Sequence, residues 1–400
     1  MTVNRVTYRG VGLFINGTQI DRATAFGASG TINKEDMFEI GNSDIVEVVD
    51  DINEVSMTLD ANEYGSIKTL AAICGKKDEA GTVIDFATDI GQAGAVSIWN
   101  YIKPLGYDDI LYTQFMKNCF VNSYSANFVT DGNATESYGF VSDNKKWLLG
   151  GNSQVAKVEL GYEIGAWVGS APSTTARIQT VVVNGREITD YTDASTGSEI
   201  DVTIPGTEET DSVYAIVSGS TGGSLFVPDK ESPAGKRRGH VELYLVTGHT
   251  YNGGKITGGT LKKQFRVQSV SVDASLDRED LGQLGYTYYY DRPLVLPIDV
   301  TTSFDLTFAD LEMFKQFVTE SPTGELSIDN FKNDVGMIVR IFDKRDIDAD
   351  RMIMKELHIP YLIASDEAFN ISLDGNATQT FSFRSHELAI KRAAEEEPQT

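Results

Sequence analysis

The sequence predicts a mainly β protein: a β-sandwich or barrel with one helix per repeat, present as two tandem copies, with a small all-β insert between them. Three observations carry this expectation. Segments recur at an offset of 243 to 245 residues, strands alternate strictly between polar and apolar residues, and apolar residues at helical spacing follow the central strand of each copy. The pentapeptide DGNAT stands at Asp131–Thr135 and returns at Asp374–Thr378. NKEDMFEIG lies over DREDLGQLG at an offset of 244, matching Glu35 to Glu279, Asp36 to Asp280 and Gly41 to Gly285, with Arg22 on Arg266. EVSMTLD from Glu54 lies over DVTTSFD from Asp299 at an offset of 245, and FMKNCF (Phe115–Phe120) lies near IMKELH (Ile353–His358). A period this long is a doubled domain, because solenoid and propeller repeats run to roughly 20–50 residues. The expected organisation is repeat one at 1–150, an insert at 151–235, repeat two at 236–392 and a tail at 393–400.

Each element has a local reason. Glu54, Ser56, Thr58 and Asp60 share one face of a strand whose other face is Val55, Met57 and Leu59. Copy two keeps the phase, with Asp299, Thr301, Ser303 and Asp305 opposed to Val300, Phe304 and Leu306. SVSVDASLD repeats the pattern: Ser269, Ser271, Asp273 and Ser275 lie opposite Val270, Val272, Ala274 and Leu276. Period two with one apolar face predicts an antiparallel sheet packed on one side. The following stretches, EYGSIKTLAAI and TFADLEMFKQFV, read as helices, the second through Leu311, Phe314 and Val318 with Phe308 one turn earlier. In the insert, Asn184-Gly185 sits between apolar residues as a hairpin turn, and EIDVTIPG and DSVYAIVSG supply further strands. DGNAT is turn chemistry, since Gly and Asn accept positive φ, so it marks one hairpin turn in both copies.

The polar face holds small hydroxyls and acids without Lys or Arg, whereas ordinary exposed strands mix both signs. Such a face suits the wall of a channel passed by a polyanion: like charge keeps the polymer from sticking, and a Debye length of about 8 Å confines the repulsion to a close-fitting gap.

Composition excludes several classes. Against 34 basic residues stand 58 acidic ones, a formal charge of -24, which disfavours gripping phosphate backbones. No apolar run approaches the roughly 20 residues of a membrane span, and MTVNRVTYRG has no signal-peptide apolar region, so assembly in the cytoplasm without a membrane partner is expected. Cys74 and Cys119 read as buried free thiols. His240, His249, His358 and His386 form no HExxH or HxH pattern. Asp346, Asp348 and Asp350 open like a calcium loop, but Arg351 stands where Gly is needed and Leu357 where Glu is needed. GKKDEAG and GSTGGS lack phosphate-loop spacing. No cofactor, metal or catalytic residue is expected, and the chain is read as a non-enzyme.

The order of elements (alternating strands, EDxxxxG, a polar/apolar strand, an outer helix, a return hairpin) resembles the tail tube proteins of long-tailed bacteriophages, which are related in fold to the tube of type VI secretion. The resemblance covers both repeats and rests on pattern and element order. It implies rings of six domains whose sheets join around a lumen; a doubled chain would close the ring as a trimer, its hydroxyl and acid residues named above lining the lumen. The implied partners are the chain itself, the tape measure protein, the tail terminator, baseplate and hub proteins, a sheath where the tail contracts, and double-stranded DNA in transit without specific binding, all within a virion. Candidates for stacking rings are the loops from Val83 and Thr319; those for inter-subunit contact are Tyr288, Tyr290 and Arg292 of a tyrosine-rich stretch that reads equally as a strand packed inside its own domain, and Arg237 and Arg238 of the basic segment GKRRGH, which reads first as a solvated linker and second as an inter-subunit contact. Alternative readings are a tail hub or distal tail ring, and a β-rich surface binding module.

Overall fold

The computed structural model describes residues 11–37, 47–50, 52–91, 93–103, 110, 112–149, 154–163, 165–184, 186–188, 190–197, 199–219, 235–282, 284, 289, 291–307, 314–326, 331–332, 334–345, 351–371 and 377–393. The first repeat comprises β1 (Val11–Ile15), β2 (Thr18–Gln19), β3 (Ala23–Thr31), β4 (Lys34–Met37), β5 (Glu47–Asp50), β6 (Glu54–Asn62), α1 (Lys68–Ile73), β7 (Val83–Asp85), β8 (Val96–Ile102), β9 (Tyr112–Val129), β10 (Thr135–Ser142) and β11 (Asn144–Leu149). The insert comprises β12 (Val155–Glu163), β13 (Ala166–Ser170), β14 (Arg177–Val183), β15 (Arg186–Ile188), β16 (Thr192–Asp193), β17 (Glu199–Thr203) and β18 (Val213–Ser218). The second repeat comprises β19 (Val241–Thr247), β20 (Thr250–Asn252), β21 (Lys255–Thr257), β22 (Thr260–Lys263), β23 (Val267–Ser275), β24 (Asp299–Thr307), α2 (Phe314–Phe317), β25 (Val335–Phe342), β26 (Ile353–Ile359), β27 (Ile363–Asn370), β28 (Thr378–Ser385) and β29 (Ala389–Arg392).

The protein is mainly β, built from antiparallel sheets. One continuous run of strands crosses both repeats in the order β3-β6-β10-β9-β23-β24-β28-β27. Each repeat adds a second layer of matching order: β2-β1-β8-β9-β11 in the first, β22-β19-β25-β26-β29 in the second. The long strand β9 belongs to both layers, its first half pairing with β8 and β11 and its second half with β10 and β23. Its counterpart is divided into β26 and β27, because Pro360 has no N–H to continue a ladder.

Backbone detail fixes the equivalence of the halves. Arg22 (φ 59°) and Arg266 (φ 64°) are both left-handed, as are Asn118 and Tyr361 (both 53°), although none is glycine. The Ser142 hydroxyl donates to the carbonyl of Lys117, and the Ser385 hydroxyl to that of Pro360. Lys117 therefore corresponds to Pro360, and FMKNCF overlies HIPYLI (His358–Ile363); its apparent match to IMKELH was a chance likeness five residues out of register. DGNAT connects β9 to β10 and β27 to β28, both paired; in the second copy Asp374–Asn376 lie outside the described residues.

Alternation places Val55, Met57, Leu59, Val270, Val272, Ala274, Val300, Phe304 and Leu306 in a core shared by both layers. Burying a side chain of this size contributes about 1.5–3 kcal/mol. From α1, Leu70, Ala71, Ala72 and Ile73 join that core. In the second repeat Phe317 and Val318 do so, the Phe317 ring packing at a tilt against Phe304, Phe381 and Phe383. The expected Phe308 and Leu311 lie outside the described residues along with the Asp346–Asp350 segment, and nothing is described of the Phe314 side chain. Cys119 is buried and Cys74 half-buried, both as free thiols.

The insert folds around its own core of Leu160, Trp167, Val181, Ile200, Val202 and Val213, and the β14–β15 hairpin turns at Asn184 (φ 50°) as expected from Asn-Gly. It packs on the face of β8 and β9 that points away from the main core: Trp99, Tyr101 and Phe115 meet Val155, Val182, Tyr214 and Ile216. The insert is thus a further layer, opposite the long sheet. GKRRGH is not a solvated linker throughout. Lys236 is buried, its backbone bridges Glu63 and Ala134, and its ammonium donates to the Asp343 carbonyl at 3.1 Å.

Candidate functional site

Strand alternation places every residue of the predicted polar set on one face of the long sheet. Reading across the eight strands, one row is Ala25–Asp60–Ser137–Ser125–Asp273–Thr301–Arg384–Ile363. Neighbouring rows bring in Thr58 with Ser123, Ser275 and Asp299, and Ser271 with Ser303 and Ser382. Glu54 and Ser56 continue the face along β6. Two of the acids are held down by hydroxyls: Ser137 donates to Asp60 at 2.5 Å, and Ser269 and Thr380 each donate to Asp305 at 2.6 Å; Ser271 pairs with Ser303 at 2.9 Å. Short side chains tied to their neighbours make a smooth surface. Sequence reading missed a cation on this face, Arg384, which lies opposite Thr301; among the described residues the face also carries Glu54, Asp60, Asp273, Asp299, Asp305 and Asp366.

The repeats meet within the chain along β9 and β23, which pair from Ser123↔Ser275 to Val129↔Ser269. Behind this seam a charged cluster is buried. The Lys355 ammonium lies 2.7 Å from Glu63 and also contacts Glu136, which accepts from the hydroxyls of Tyr124 at 2.7 Å and Tyr138 at 3.0 Å. Lys355 and Glu63 are wholly buried. Burial and then the Glu136 charge push Glu63 up to about 7. Burial opposes ionisation of Glu136 as well, but Lys355 and the hydrogen bonds outweigh it and hold its carboxyl below the usual range. For Lys355 the two carboxylates overcome burial and hold the ammonium above its ordinary value.

The folded value of Glu63 lies above the unfolded one of 4.5, so its contribution to stability is complete below pH 4.5 and is lost as pH rises through about 7. Glu63→Gln cannot titrate. Thermal unfolding should therefore find the stability of this variant relative to the native chain higher at pH 8 than at pH 5; an equal difference at both would contradict the assignment.

A second lock lies at the same seam. Arg292 Nη2 lies 2.5 Å from Asp143 Oδ1 and its Nε 2.6 Å from Asp280, while the guanidinium stacks on Tyr289. Burial pushes the Asp143 carboxyl up against the pull of Arg292. This corrects the reading of Arg292 as an inter-subunit residue: it is buried inside the chain, joining repeat two to repeat one. Tyr288 and Tyr290 lie outside the described residues. Arg237 donates to Asn133 at 2.9 Å, and Arg238 begins a short 3-10 turn. The loop after Val83 is also redirected, since Val83–Asp85 forms β7 and pairs with β29 of the second repeat.

At the two ends of the long sheet, β3 and β27 have pairing partners on one side only among the described residues. Exposed apolar residues lie beside β3 (Ile32), on or beside β27 (Phe369 and Ile371), and in the second layer at Tyr112 of β9 and Trp147 of β11. Ile32, Tyr112, Trp147, Phe369 and Ile371 are between 41% and 76% exposed. Their counterparts in the other repeat are Leu276, Lys355, Ile390, Ala126 and Phe128, which are between 0% and 4% exposed because the intrachain seam covers them. Sequence reading did not single out these edge residues; the internal alignment offered a signal, but only the folded seam shows which positions a neighbour covers.

Among the described residues no cluster of His, Cys, Asp and Glu is arranged to hold a metal, and no helix is long and apolar enough to cross a membrane. No protein-family model matches the sequence, and a search of curated proteins returns no match.

Proposed function

We propose that this chain is a structural ring-former, the major tail tube subunit of a long-tailed phage, in which three chains close six repeats around a channel lined by the polar sheet face. The single observation that carries the reading is the correspondence between the free edges and the covered seam: the chain contains one joint of the proposed ring, and both halves of the next joint stand exposed. A heterologous contact of this kind repeats until it closes. Transferring the β9–β23 register to β27 of one copy and β3 of the next places Phe369 opposite Ala28 and Ile371 opposite Phe26. Ladder hydrogen bonds and apolar burial then act together, as in other strand additions.

Closure directs the hydroxyl and acid face inward and leaves the insert on the outside. Tape measure protein and double-stranded DNA would pass a wall of tethered carboxylates offering few cations to grip phosphate. Assembly and transit are tested separately. Sedimentation should find trimers of the 43.8 kDa chain, or stacks of them. Thr58→Lys with Thr301→Lys places one exposed cation in each repeat; rings should still form, while DNA ejection from particles carrying the variant should slow. Unchanged ejection kinetics would remove the lumen assignment and leave ring formation standing. Discrete rings that never stack would favour a tail hub instead.

A further inference from the structure

We propose that chains recognise one another at the free sheet edges through one ion pair, Glu367 of one copy against Lys145 of the next, and that this pair fixes the direction and register of the joint. The inference rests on the ring reading and names the contact that selects a second copy of this chain as the partner.

The covered seam shows what stands at these positions when a neighbour is in place. There Tyr124 of β9 lies opposite Ala274 of β23, and both are buried in the shared core together with Leu388. Each has a counterpart at a free edge. Tyr124 corresponds to Glu367 and Ala274 to Gly30, and counting on equally from the matched Ser142 and Ser385 makes Lys145 the counterpart of Leu388. An apolar contact inside the chain thus becomes an acid on β27 and a base beside β3.

Both charges already stand at their edges in the single chain. Glu367 pairs with the buried Phe381 of β28 and so lies on the core side of β27, half-buried, its Oε1 accepting from Gln379 at 2.7 Å. Lys145 reaches from β11 to β3: its ammonium donates to the Ala28 carbonyl at 3.1 Å, and its Cε lies 3.9 Å from where a side chain on Gly30 would begin. Gly30 leaves that place open. The register that sets Phe369 opposite Ala28 sets Glu367 opposite Gly30, and residues directly opposed across a ladder have Cβ positions about 4.5–5.5 Å apart. Carboxylate and ammonium then fall within ion-pair reach.

Charge supplies a selectivity that the apolar residues of these edges lack. Two β27 edges laid together set carboxylate toward carboxylate, and two β3 edges set ammonium toward ammonium. A slip of two residues moves Glu367 from Gly30 to Ala28 or Ile32. Only β27 added to β3 in one register satisfies both charges, and that heterologous contact is the one that closes a ring.

Charge exchange in the full chain, read by sedimentation, tests this. Lys145→Glu or Glu367→Lys alone puts like charges at every joint and should weaken assembly at least about tenfold. Both side chains are partly exposed in the single chain, so both variants should fold, with unfolding temperatures close to native. The two exchanges in one chain restore an opposite pair everywhere, and trimers should return at concentrations within about threefold of native. An equal mixture of the two single variants separates the readings further: opposite charges meet only between unlike chains, and a ring of three cannot alternate throughout. Two-chain complexes should therefore replace closed trimers in the mixture. Native trimers that persist unchanged through either single exchange, or that the double exchange fails to recover, would overturn the ion pair and leave the ring standing. Ala28→Cys with Phe369→Cys reports the β3–β27 joint itself, and absence of any cross-link between chains under mild oxidation would overturn the ring and the ion pair with it.

Discussion

Phe369→Asp combined with Ile371→Asp is expected to yield a folded chain that no longer closes rings. Both side chains are about half-exposed or more in the single chain, so replacing them removes little intrachain packing. In the proposed ring they enter positions equivalent to Ala126 and Phe128, which are buried. Each lost apolar side chain forfeits about 1.5–3 kcal/mol of association, and a buried unpaired carboxylate costs several kcal/mol more. Association should weaken by well over a thousandfold, since about 1.4 kcal/mol corresponds to tenfold. Sedimentation should show monomers at concentrations where the native chain assembles, with an unfolding temperature within a few degrees of native. The matched substitution Ala126→Asp, at the seam already closed within the chain, should instead unfold it. Equal effects at both positions would mean that the two edges are not equivalent.

Lys355→Met is expected to destabilise the chain by about 3–5 kcal/mol, the range for removing one member of a buried ion pair. The loss comes less from the missing attraction than from the carboxyls left behind: Glu63 and Glu136 would stay buried without a counter-charge. Lys355→Met combined with Glu136→Gln should recover part of the loss, and chemical denaturation of the single and double variants measures both. A loss below about 1 kcal/mol would mean that water reaches the cluster. The free joint has no such arrangement. Position for position, Lys355 is replaced by Tyr112, Glu136 by Gln379 and Tyr124 by Glu367, with Gln379 donating to Glu367 at 2.7 Å. The seam within the chain buries an ion cluster, which chain connectivity forces together once; the proposed joint between chains has Tyr112 in place of the buried cation and a single carboxylate, Glu367, held by Gln379, so less charge is desolvated at each association.

Much of the architecture is legible in the sequence because its signals are local and periodic. Alternation in EVSMTLD and SVSVDASLD assigns each residue of β6 and β23 to a face, and Asn184-Gly185 marks its hairpin. Long-range relations are not written that way. The likeness of FMKNCF to IMKELH misleads because residue identity outweighs geometry in a short match; the serine–carbonyl bonds of Ser142 and Ser385 give the register instead. Arg292 and the tyrosines beside it have the composition of an interface, and Arg292 does serve one, but composition does not say whether that interface lies within a chain or between chains. Val83–Asp85 reads as part of a loop because three residues are too few for periodicity, and only its partner β29 makes it a strand. The buried Lys355 gives no sequence signal at all, since its two carboxylates stand 292 and 219 residues away.

In the proposed ring the polar sheet face lines a channel closed by β27 of one chain against β3 of the next. Electron microscopy of the assembled protein, averaged down the ring axis, tests it most directly. The expected image is a hollow ring with threefold symmetry, an inner wall of six similar lobes with the face carrying Asp273 and Thr301 toward the channel, and three outer protrusions from the insert. A ring with the insert filling the centre, or an assembly whose polar sheet face turns outward, would contradict it.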